Sequence, residues 1–245
     1  MDAEVAQRLI ALNKAFYQKL ASPFSATRNQ VQPGVKRVLD DVPKDASILD
    51  LGCGNGSVAK ELARRGYSGK YIGIDSSEDL LTIARKNVSS PMPNVQFIQG
   101  DLTATDWNLQ SPISGFLFDF TFAFAVLHHL PSREIRLSFL SQVGKLLRPR
   151  GKFELSNWQF LNSPKLKERI QLWEKVGLSN SRVDEGDYLL DWRSGGEGLR
   201  YVHHFDAAEL AALAAETSFR VADEFLSDGK TRNLALYQKW IPANL

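Results

Sequence analysis

The chain has 245 residues, 43% hydrophobic and 24% charged, with 17 glycines, 10 prolines and one cysteine, a balance that fits a soluble globular protein and excludes global disorder. A single cysteine excludes an internal disulfide or a multi-cysteine zinc site, and the net charge of +2 is not the footprint of a general nucleic-acid binder. The longest apolar run, around Phe116–Leu127, is broken by Asp119 and Thr121 and is no membrane span.

Residues 1–45 read as a helical cap. Leu9, Leu12, Phe16 and Leu20 recur at helical spacing and predict a helix over Val5–Leu20, which Ser22-Pro23 breaks. A second helix is expected over Pro33–Asp40, with the proline in the permitted first turn. Asp2 and Glu4 open the chain in place of a secretion signal, so a cytoplasmic protein is expected. Arg8, Lys14, Lys19, Arg28, Lys36 and Arg37 face only those two acids, and this basic front end is either a solvated helix face or a phosphate contact.

Residues 46–156 alternate strands with helices. Strands are expected at Ser47–Leu51, Tyr71–Ile74, Val95–Gln99, Phe116–Phe124 and Lys152–Ser156. Helices are expected at Ser57–Arg65, ended by Gly66, at Glu78–Val88, and at Arg133–Leu147, capped by Ser132. The alternation implies parallel crossovers and a doubly wound, Rossmann-like α/β sheet. The pattern lapses over Asn157–Tyr201, within a segment 157–205 expected to serve the substrate. Segment 206–245 resumes with a helix from the Asp206 cap to Thr217. Strands at Arg220–Leu226 and Arg232–Trp240 follow, joined by an Asp228-Gly229 turn, so the mostly parallel sheet ends in an antiparallel pair. The four segments make one domain.

The most specific feature is Asp50-Leu51-Gly52-Cys53-Gly54-Asn55-Gly56, where the first strand meets its helix. Glycines there let backbone approach a ligand at the carboxyl end of the sheet. A dinucleotide fingerprint needs glycine where Ser57 stands, and the Asp50 carboxylate opposes a pyrophosphate but suits a cationic ligand. Asp75 ends the second strand about twenty residues on, where such folds place a ribose-binding acid. Asp101 follows the third strand, where a carboxylate accepts from an exocyclic amine while Leu102 holds a flat base. Cys53 lacks a paired base and is expected to be inert.

From Ser47 to Gly151 this order of motifs resembles the class I S-adenosylmethionine-dependent methyltransferases. The resemblance implies that Gly52, Gly54 and Gly56 face the methionine end of the cofactor, that Asp75 binds ribose, and that Asp101-Leu102 hold adenine. Tyr17, Asp50, Asn55, Ser76 and Ala125 complete the expected S-adenosylmethionine set, the product being S-adenosylhomocysteine. Leu147-Arg148-Pro149-Arg150-Gly151 resembles the family's turn, with Arg150 where glycine is usual. Phe16-Tyr17, Ala21–Arg28, His128-His129, Asn157-Trp158, Asp191-Trp192 and Arg200–Phe205 are similar to the tRNA wobble-uridine carboxymethyl methyltransferases. This narrower resemblance implies a tRNA acceptor, esterified on 5-carboxymethyluridine, and in eukaryotic relatives a small activator subunit.

A carboxylate acceptor is ionised at neutral pH and needs neutralising donors rather than a general base. Arg28, Arg200, His128 and His203 are the candidates, and Trp158, Trp192 and Tyr201 are candidates to stack a flipped base. Neighbouring His128 and His129 are expected to diverge, with no metal spacing. Either tryptophan is equally a core anchor; Trp107 and Trp173 are read as packing. Two alternatives stay open: a small-molecule acceptor, and a scaffold that binds S-adenosylmethionine without catalysis.

Overall fold

The computed structural model describes residues 1–27, 30–88, 92, 94–110 and 112–243. The chain begins with α1 (Ala3–Lys19), α2 (Ala21–Ala26) and α3 (Pro33–Asp40). The alternating core follows: β1 (Ile48–Leu51), α4 (Ser57–Arg64), β2 (Tyr71–Asp75), α5 (Glu78–Asn87), β3 (Val95–Gln99), β4 (Phe118–Phe124), α6 (Arg133–Leu146) and β5 (Leu147–Trp158). Then come α7 (Pro164–Lys167), β6 (Ile170–Gln171), β7 (Asp187–Trp192), β8 (Gly198–His203), α8 (Ala207–Glu216), β9 (Phe219–Ser227) and β10 (Ala235–Pro242).

Seven strands form one sheet in the order β3-β2-β1-β4-β5-β10-β9. The first five run parallel, and β10 pairs antiparallel with both β5 and β9, as the alternation and the final turn imply. All four residues of β1 are buried, because helices cover both faces of the sheet. Leu49, Ile72, Phe139 and Leu210 share one apolar cluster; Ile48, Tyr71, Val38 and Leu62 share another. Strand order reverses between β1 and β4, and in such sheets the crevice at the carboxyl ends beside that reversal receives ligands.

The caps form as expected. The Ser132 hydroxyl accepts from the Ile135 N–H, and the Asp206 carboxylate from the Glu209 N–H at 2.7 Å. Two expectations are corrected. Segment 157–205 is not structureless: β6, β7 and β8 form a small antiparallel sheet, and α1 packs on it through Val5 and Leu9 against Trp173, Leu189 and Tyr201. The expected turn Leu147–Gly151 lies inside β5. Leu147 pairs with Phe118, the register slips, and pairing resumes at Lys152 opposite Phe120.

Candidate active site

A cavity of about 490 Å³ opens at the reversal point, a size that suits a cofactor-sized ligand. Its floor is the turn after β1. Gly54 has φ +55°, and a Cβ there would meet nothing within 4 Å, so it presents bare backbone to the cavity. Gly56 differs: it lies outside the lining, and a Cβ would strike the Ala84 Cβ of α5 at 2.8 Å, so it serves helix packing. Gly52, Asn55, Ser76, Leu102 and Tyr17 all line the cavity. Ala125, also lining it, follows β4 at φ +59°, and its N–H donates to the Ser156 carbonyl at 3.0 Å.

The three acids stand in different states. Asp50 is buried, accepts from the Tyr71 hydroxyl, and is pushed up to about 7 by burial, which that hydroxyl partly offsets. Asp75 accepts from the Gly54 N–H through Oδ2 and from the Ser77 N–H through Oδ1, both at 2.9 Å. Burial raises it against those hydrogen bonds, and each oxygen keeps a further acceptor lone pair. Asp101 is held below the usual carboxylate range, because hydrogen bonds from Lys14 and Thr103 outweigh its burial. Lys14 Nζ reaches it from α1 at 2.7 Å. Cys53 is buried and its thiol is pushed up, in keeping with the inert role expected.

The opposite end of the cavity holds Trp158, His128 and Arg200. Arg200 is 4% exposed, and among the described residues no carboxylate or hydrogen-bond acceptor meets its guanidinium. Aromatic faces surround it instead: Trp158 at 4.8 Å, Phe16 at 5.4 Å and Trp192 at 5.5 Å. Trp192 thus backs Arg200 and does not line the cavity; its ring also meets Phe16 edge-on. The rings of His128 and His129 do not diverge. One turn of 3₁₀ helix brings their centroids to 4.4 Å. His128 Nδ1 accepts from the Trp158 N–H at 3.4 Å, which places the proton of the neutral ring on Nε2. His129 bridges the Tyr17 hydroxyl and the Tyr201 carbonyl.

His203 does not reach the cavity. Its ring lies between Asp187 at 2.7 Å and Glu209 at 3.0 Å, in a buried network with Arg136 and the Tyr201 hydroxyl. Those two carboxylates raise its pKa against the opposing effect of burial. Tyr201 is fully buried there and is no stacking platform. Arg28 lies outside the described residues. Sequence reasoning missed Asn13 and Lys14, which line the cavity with Ile10 and Tyr17. The spacing Ile10, Asn13, Lys14, Tyr17 is itself helical, so polar residues on that face were a readable signal. Asn13 also stitches α1 to β8 through both backbone groups of Tyr201.

Comparison with known proteins agrees with this geometry. Residues 48–151 match the methyltransferase domain family. The chain is 31% identical to the malonyl-[acyl-carrier protein] O-methyltransferase of Halalkalibacterium halodurans, over 78% of this chain and 68% of that protein. It is 27% identical to the mouse tRNA (carboxymethyluridine(34)-5-O)-methyltransferase over 70% of this chain, but spans only 22% of that relative's length. The solved DhpI–S-adenosylhomocysteine complex superposes with a TM-score of 0.65 at 19% identity, covering 98% of this chain and 99% of that one. The chain belongs to the class I S-adenosylmethionine-dependent methyltransferases. Its cofactor is S-adenosylmethionine, and no helix among the described residues is long and apolar enough to cross a membrane.

Proposed function

We propose that the enzyme esterifies an acceptor carboxylate, that of 5-carboxymethyluridine in tRNA, within one catalytic unit of cap (1–45), cofactor core (46–156), substrate segment (157–205) and closing helix and hairpin (206–245). The observation that carries the reading is Arg200. A guanidinium this deeply buried is costly without a counter-charge, and its open side faces the cavity. A planar carboxylate fits its donor fork and supplies the missing charge. The relatives named above act, by their names, on carboxymethyluridine and on a malonyl group, and both acceptors carry a carboxylate.

The residues at the other end fit the cofactor. Bound S-adenosylmethionine supplies an electrophilic methyl group on a sulfonium. Asp75 accepts from the ribose hydroxyls with its remaining lone pairs, while Asp101 and Leu102 hold the adenine edge and face. Gly52, Gly54, Asn55, Ser76, Ala125 and Tyr17 shape the channel between, and Asp50 favours positive charge. Gly56 supports this turn from behind. At the acceptor end Arg200 orients the carboxylate, His128 donates from Nε2, and Trp158 stacks the base. No general base is needed, so the chain's contribution is alignment and exclusion of water, and alignment alone lowers barriers by about 7–11 kcal/mol.

A cytoplasmic location and a small activator subunit belong to the same reading. The malonyl relative favours a second reading, a small carboxylic acid as acceptor. The test incubates purified protein and S-adenosylmethionine with tRNA bearing 5-carboxymethyluridine, followed by nucleoside mass spectrometry. Conversion to the methyl ester is expected. Methylation of small dicarboxylic acids with the tRNA untouched rejects the tRNA acceptor.

A further inference from the structure

Two basic arms rise beside the acceptor end of the cavity. One follows β5 beyond Trp158 and carries Lys165, Lys167 and Arg169; the other is the β9–β10 turn, with Lys230 and Arg232 between cavity-lining Gly229 and Leu234. The arms are joined. The Gln159 N–H donates to the Leu234 carbonyl at 2.8 Å, and Asn162 Nδ2 donates to the Asn233 carbonyl at 2.9 Å. Lys165, Lys167, Lys230 and Arg232 are exposed and Arg169 is half-buried; none of the five forms an ion pair among the described residues.

Along the two arms themselves acids are few. Glu168 is the only acid in residues 159–172. Asp228, the only acid in residues 227–234, turns inward to accept from the Gly34 N–H at 2.9 Å and the Tyr237 hydroxyl at 2.7 Å. Part of the basic front end is engaged within the protein: Arg8 donates to the Val176 carbonyl, Lys14 pairs with Asp101, and Arg37 lies over Phe225.

We propose that the two arms grip the phosphate backbone of an RNA, setting one nucleotide over the cavity mouth beside Trp158; the proposal rests on the tRNA reading above. Five cations on two joined arms match an extended polyanion better than a small acid, whose single charge Arg200 already meets. The test titrates the full chain with an unmodified tRNA transcript and compares it with the variant Lys165→Gln/Lys167→Gln/Lys230→Gln/Arg232→Gln. Between about 50 and 200 mM salt, losing four contacts lowers the slope of log affinity against log salt by roughly three. Affinity in the variant should fall about 100-fold, and exchanging each Lys for Arg and Arg232 for Lys should restore it. Unchanged calorimetric binding of S-adenosylmethionine shows that the variant is folded. Equal slopes and affinities for the two proteins overturn the proposal, as does a wild-type chain that binds tRNA without salt dependence. The transcript lacks a carboxymethyl group, so binding reads the arms alone. Salt-dependent binding without methyl transfer to carboxymethyluridine supports the arms and rejects the acceptor.

Discussion

Replacing Arg200 by methionine removes a cation that no acid of the described protein neutralises, while leaving the Phe16, Trp158 and Trp192 rings packed. A carboxylate about 4 Å from that charge gains about 4 kcal/mol at an effective dielectric of about 20. Truncating one half of a buried charge pair costs about 2–5 kcal/mol. The variant should therefore lose roughly 1.5 to 3.5 orders of magnitude in kcat/KM for the acceptor. Stability should behave differently. The lost cation–π contacts are offset by relief of a buried charge and by sulfur–aromatic contacts. The net change should stay within about 1 kcal/mol, or roughly 2–4 °C in Tm for a domain of this size. Initial rates with saturating S-adenosylmethionine and thermal melting read these two quantities separately, and cofactor calorimetry should be unchanged. Wild-type kcat/KM in the variant refutes the reasoning; so does a fall in Tm well beyond that range, because Arg200 would then be structural.

Cofactor affinity should rise with pH through about 7, since a cationic ligand favours ionised Asp50, and Asp50→Asn should flatten that profile by calorimetry. Gly54→Ala should cost only about 1 kcal/mol of stability, from backbone strain at positive φ, yet weaken cofactor binding more than tenfold by placing a methyl group in the channel; an unchanged dissociation constant would move the cofactor elsewhere. His203 has a raised pKa, so its stabilising contribution is present below about 6.5 and is lost as pH rises through the higher folded value. Denaturant melts should accordingly show wild-type stability falling more steeply as pH rises above about 6.5 than in His203→Gln. Lys14→Met should change stability by less than about 1 kcal/mol, because this ion pair is partly exposed.

The parallel core was legible because β1, β2 and β4 are short apolar runs between turn residues, with helical spacing in between. The small sheet was not. Strands such as Asp187–Trp192 and Gly198–His203 mix charges with aromatics, because one of their faces holds a buried polar network. That omission also blurred the site. Arg200 and His203 looked equivalent as cations, but a strand sends residues 200 and 203 to opposite faces. Once β8 is recognised, its period of two directs Tyr201 and His203 toward Asp187 and Arg200 toward the cavity. The glycine turn and its acids were legible because their chemistry depends on position along the chain. The clustering of Trp158, Trp192 and Phe16 around one guanidinium depends on three distant segments meeting, which no local pattern encodes.

The most direct measurement is a calorimetric titration of the S-adenosylhomocysteine complex with 5-carboxymethyluridine and with its neutral amide at pH 7.5. The acid should bind at least about 30-fold tighter, as expected for about 2 kcal/mol or more of charge recognition, and the gap should vanish in Arg200→Met. Equal affinities for acid and amide would contradict a carboxylate site at Arg200.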